Sequence, residues 1–135
     1  MPEYMQAISR LLIASVFIVF GYIQATHIGN YIANPAVVKV AAMTVILSPT
    51  ILAYLVMIIN LVGGILILVG YQTRWTSIVL IAFVVLTCIF VHNFWTMEGP
   101  ARIGNQVNFY KNLVIIGALL PVSYTHLTLP TKRIV

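Results

Sequence analysis

The residues of this chain that could do chemistry are few, and most of them are uncharged. Its carboxylates are Glu3 and Glu98, its one cysteine is Cys88, and its histidines are His27, His92 and His126. Cys88 and His92 stand at i and i+4, so a helix carrying them projects both from one side. Asn105, Asn108 and Asn112 repeat at i, i+3 and i+7, a stripe along one helical face, with Lys111 beside its end. Gln24 and Asn60 are isolated amides inside otherwise apolar runs. An imidazole and an ammonium among amides can hydrogen-bond or protonate a carbonyl oxygen. The same amides can instead hydrogen-bond helices to one another, at well under about 2 kcal/mol per contact.

Other chemistries are excluded by what the chain lacks. It has no HExxH, no glycine-rich phosphate loop and no paired carboxylates. A single cysteine forms neither an intramolecular disulfide nor a CxxC pair. His27 and His92 fall at one membrane face on different spans, but nothing else marks them as haem ligands.

These residues are set in a sequence that is 61% hydrophobic and only 7% charged. A soluble domain averages about 25% charged residues, so this chain needs lipid around it. The formal charge of +5 comes from scattered side chains (Arg10, Lys39, Arg74, Arg102 and Lys111, with Lys132 and Arg133 at the end). They sit near span ends, where such side chains snorkel to phosphate head groups. No basic run or motif points to nucleic acid.

At about 20 residues per crossing, the length accommodates four spans. The first covers residues 11–28. It follows an N-terminus that carries Glu3 and lacks a basic region and a cleavage site, so it is read as a retained span. Residues 36–47 are apolar except for Lys39. They are too short to cross and predict an interfacial or re-entrant helix started by Pro35 and ended by Pro49. The second span covers residues 51–70, and its Gly63–Gly64 pair predicts close approach by another helix, as do Gly117 and Ala118 further on. The third runs over residues 78–95. Trp75 and Trp95 bracket it, roughly 30 Å of helix apart, as an aromatic belt requires. Residues 96–106 predict a polar loop. The fourth span starts near Val107, yet its unbroken apolar stretch covers only residues 113–122.

The sequence from Val122 onward has its own signature. SYTHLTLPT reads as the in-frame translation of a transposase adapter used in DNA library preparation, nine residues in succession. The expectation is a membrane domain over residues 1–121 with a truncated fourth span, followed by an artefactual tail over 122–135. Without Lys132 and Arg133 the charge falls to +3.

Antiparallel neighbours place Gln24, His27, His92, Asn93, Asn105, Asn108, Lys111 and Asn112 at one membrane face. Arg10 and Arg74 fall at the other. Basic residues divide too evenly between the faces to fix an orientation. Because residues 96–106 form a short connection, His92 is expected within reach of Asn108, Lys111 or Asn112.

Four segments resemble the DoxX family of small bacterial membrane proteins: RLLIASVFIVFGYIQA, NLVGGILILVGYQTRW, FVHNFW and NQVNFYKNLVIIGALL. The resemblance implies an all-α integral membrane protein, a four-helix bundle of the bacterial inner membrane. It also implies association with redox chemistry, since some family members are subunits of thiosulfate:quinone oxidoreductases or partners of thiol-oxidation systems. On that reading Gln24, Asn60, His92, Asn108, Lys111 and Asn112 form a polar face for a quinone. His92 and Lys111 contact its oxygen, Phe94 and Phe109 pack on its ring, and a membrane redox protein is the partner. A non-catalytic membrane partner or assembly factor fits the same residues as interhelical contacts, and a solute transporter of this size would need to oligomerise. Family members commonly carry Lys at the position of Gln24 and Glu at that of Asn60. Loss of both charges together predicts that the two positions face each other.

Overall fold

Backbone amides have no water to bond in lipid, so an apolar chain of this length satisfies them within helices. The computed structural model describes residues 2–134, with side chains for residues 2–124, and among them there is no strand. The order is α1 (Glu3–Thr26), α2 (Ile28–Ile32), α3 (Pro35–Thr44), α4 (Pro49–Val69), α5 (Thr73–Phe90), a single 3-10 turn (Phe94–Thr96) and α6 (Gly99–Ile134). Among the described residues, three stretches are long and apolar enough to cross a membrane: α1, α4, and α5 with the turn that follows it.

Helix starts follow local chemistry. Asn34 caps α3 by accepting from the Ala36 amide at 2.9 Å, and Ser48 caps α4 by accepting from Ile51 at 3.2 Å, each with proline in the first turn. The end of α4 is a Schellman motif: Gly70 sits at φ +77°, and the Gly70 and Tyr71 amides donate to the Leu66 carbonyl. The short helix over residues 36–47 is found as α3, ten residues long, and it packs on α4. The expected polar loop over residues 96–106 is much shorter. Gly99 and Pro100 start α6, because proline is suited to a first helical turn, and residues 101–106 are its opening turns. The α6 backbone stays helical past Pro121 and Pro130, so no break follows the apolar stretch. The side chains of residues 125–134, most of the expected tail, lie outside the described residues.

α1 and α4 run antiparallel along most of their length, and α5 and α6 form a second such pair. Ile13, Ala14 and Phe17 of α1, Ile67 of α4, Leu80 and Val84 of α5, and Leu119 and Val122 of α6 share one core. The two glycines of α4 serve different neighbours. A Cβ on Gly64 would stand 2.7 Å from Ile18 Cγ1 on α1, and one on Gly63 would stand 2.8 Å from Leu80 Cδ2 on α5. Gly117, expected to do the same, faces open space.

Candidate functional site

The sequence-predicted polar residues gather in two places, one in each helix pair. In the first, the Asn60 Nδ2 donates to Gln24 Oε1 at 2.8 Å. Gln24 is 7% exposed and Asn60 5%, so the bond is shielded from lipid and water alike. It closes the polar end of an α1 stripe formed by Ile13, Phe17, Gly21 and Gln24, opposite Asn60, Gly64 and Ile67 of α4. A Cβ on Gly21 would meet Leu61 Cγ at 2.6 Å, which is how the backbones come near enough for two short amides to touch. The positions expected to face each other do so, and their chemistry is that of a neutral pair joined by one hydrogen bond.

The second place lies where α5 ends and α6 begins. The His92 amide donates to the Thr87 carbonyl at 3.0 Å, which closes the last turn of α5 and sets the ring toward α6. His92 Nδ1 lies 2.9 Å from Asn105 Oδ1, and Asn105 Nδ2 donates to the Ala101 carbonyl at 2.9 Å. A carbonyl can only accept, so the Asn105 amide is oriented by Ala101 and its oxygen faces the imidazole. Nδ1 is therefore the donor, and in the neutral tautomer this fixes, Nε2 is the acceptor. One turn deeper, the Cys88 thiol points at the Phe109 carbonyl at 4.0 Å and at the side chain of Asn112.

Aromatic rings border this place. Phe94 and Trp95, carried by the 3-10 turn, pack on Phe109 of α6 with centroids 5.4 and 5.9 Å apart, edge to face. Tyr110 packs edge-on against Phe109 at 5.7 Å. Such rings form a rigid apolar wall and leave the imidazole edge as the polar feature.

The remaining candidates are elsewhere. The partner of His92 is Asn105, not Asn108, Lys111 or Asn112. Asn108 and Lys111 are exposed, and Lys111 lines an open groove of about 470 Å³ with Ile103, Gln106, Val107, Tyr110 and Val114. The physical reason is helical phase: Lys111 lies about 120° around α6 from Asn105, and Asn108 about 60°. His27 is bonded to its own helix, through Thr26 Oγ1 at 2.9 Å and the Ile23 carbonyl at 3.2 Å. Among the described residues, no three His, Cys, Asp or Glu side chains group as metal ligands. The pairing of Cys88 with Asn112 and the inclusion of Trp95 and Tyr110 in the wall went unread in the sequence. The i, i+4 spacing of Cys88 and His92 was the signal available for the first.

The DoxX family model matches residues 5–93. Inner membrane protein YphA of Escherichia coli is 28% identical over 118 residues, which covers 87% of this chain and 80% of that protein. ER-derived vesicles protein ERV29 of Saccharomyces cerevisiae is 32% identical over 73 residues, 54% of this chain but only 24% of its own length. No solved structure matches.

Proposed function

The chain belongs to the DoxX family, and on that premise we propose that it is an integral protein of a bacterial inner membrane and a component of a quinone-linked redox system. In this reading α6 makes a fourth crossing beside α1, α4 and α5. The quinone head group lies against His92 and the Phe94–Trp95–Phe109 wall. The observation that carries this is the oriented imidazole: Asn105 fixes the proton on Nδ1, so Nε2 stands ready to accept one. A quinol hydroxyl is a donor of the right kind, and the ring behind it packs on aromatic edges. Asn112, one turn deeper beside Cys88, supplies an amide toward the same interior. Oxidation of a quinol releases two electrons and two protons. Here His92 Nε2 takes one hydroxyl proton, the second passes to water at the adjacent membrane face, and both electrons leave to an oxidised redox protein in the same membrane. Lys111 and Asn108, on the exposed side of α6, take no part in this arrangement. Gln24 and Asn60 contribute by locking α1 to α4.

Extraction of quinone from the purified protein tests this reading. Quinone retained above a protein-free lipid control, and reduced several-fold by His92→Ala, is the expected result. Equal quinone in both samples rejects it.

A second reading is favoured by one observation, the buried hydrogen bond that joins Gln24 to Asn60. Such a bond holds helices together, which suits a non-catalytic membrane partner or assembly factor. Pull-down from native membranes separates the two, since a quinone-reactive partner supports the first and an unrelated client the second.

A further inference from the structure

At the opposite membrane face from His92, the interior ends in hydrogen-bond donors with nothing to receive them. Thr73 is 1% exposed and Ser77 0%, and both hydroxyls are buried without a partner. This departs from the habit of the chain. Ser9, Ser15, Thr26, Thr44, Thr87 and Ser123 all donate back to a carbonyl three or four residues earlier in their own helix. Ser77 could bond the Thr73 carbonyl in the same way, but it does not. Both residues belong to the stripe of α5 that continues as Leu80, Val84 and Cys88, so their side chains point into the bundle.

Arg10 lies at the same level. It stands one turn before Ile13 and Ala14 on α1, as Ser77 stands one turn before Leu80, and these apolar residues meet in the core. Its guanidinium carbon is 3.5 Å from where a Cβ of Gly70 would be, so it lies across the turn joining α4 to α5. Arg10 Nε is buried and also has no partner. The Leu66 and Ile67 carbonyls at the end of α4 receive the Gly70 and Tyr71 amides, and Arg10 Nε makes no bond to that helix end. Nor does an acid pair with it: Glu3 is exposed two turns away along α1, and Glu98 is at the far membrane face. The first turn of α5 adds further donors, since Gln72 precedes it without a side-chain cap.

We infer that Arg10, Thr73, Ser77 and the amino end of α5 form a binding site for a phosphate-type oxyanion. A guanidinium, two hydroxyls and a helix amino terminus can all donate to an oxyanion, and no carboxylate is set among them. The site is independent of the quinone reading, since it lies at the other end of the bundle. The phosphate comes from a lipid head group or from solution.

Thermal unfolding of the full chain in a maltoside detergent tests this. Phosphatidylglycerol and inorganic phosphate are each titrated, because a ligand that binds the folded state raises Tm in step with concentration over Kd. The expected result is a saturable rise. Phosphatidylglycerol alone acting identifies a lipid head group, and inorganic phosphate acting as well identifies a free oxyanion. Ser77→Ala and Thr73→Val each weaken the response about tenfold, as loss of one bond to a charged group does. Thr73→Ser keeps the response and Arg10→Gln abolishes it. The hydroxyl variants decide the matter if Arg10→Gln fails to fold. A rise of equal size in wild type, Ser77→Ala and Thr73→Val, or no rise with either ligand, overturns the site.

Discussion

A buried amide in a span has no water to turn to, so removing one member of the Gln24–Asn60 pair strands the other. Asn60→Leu or Gln24→Leu alone is expected to cost about 1 kcal/mol, and the double variant little more than either single one. Unfolding of the four proteins in detergent measures this coupling, and strictly additive losses would mean the bond contributes nothing. Charge makes a sharper version. Gln24→Lys places an unpaired cation in the bundle, and adding Asn60→Glu should recover most of what it loses. This contact was legible in the sequence because two polar residues on separate spans depart from the family pattern together. The partner of His92 was not. A stripe of three asparagines tells that one side of α6 is polar, but it leaves the rotation toward α5 undecided by about a third of a turn. Asn105 and Asn112 turn inward around Phe109, and Lys111 stays outside.

Helix pairs in lipid gain nothing from excluding water, so close backbone approach has to do that work. Gly64, like Gly21, is where α1 and α4 approach closely: an added methyl meets the Ile18 side chain at 2.7 Å and its backbone nitrogen at 3.1 Å. The side chain can move but the backbone cannot, so Gly64→Ala is expected to destabilise by about 1–3 kcal/mol. Gly117→Ala is the matched control. It meets nothing within 4 Å and should be neutral or slightly stabilising, since alanine is the better helix former by up to about 1 kcal/mol. Comparison of the two Tm values checks this, and equal losses would contradict the packing. Span positions were readable from apolar run length and the tryptophans, and the Gly63–Gly64 pair from its composition. The start of α6 was misread, since glycine, proline and polar residues signal a loop unless the proline falls in a first helical turn. Nothing local distinguishes that case until α6 is seen to pack on α5.

At the scale of the molecule, the proposed function requires four crossings with two kinds of end: an amide and aromatic end at His92, and a donor-rich end at Arg10. Accessibility of single cysteines in a Cys88→Ser background tests the topology. Asn30→Cys and Met97→Cys should react from one side of the membrane, and Tyr71→Cys and Tyr124→Cys from the other. Reaction of Tyr124→Cys with the first pair would leave α6 short of a crossing. The most direct test of the central claim uses Trp95, which stands in the aromatic wall beside Phe94 and Phe109. In a Trp75→Phe protein it is the sole tryptophan, and its fluorescence can be followed in lipid nanodiscs as a short-chain benzoquinol is added. Saturable quenching is predicted, with an apparent Kd about tenfold weaker in His92→Ala. Quenching that rises linearly with quinol and is the same in both proteins would contradict a site at His92.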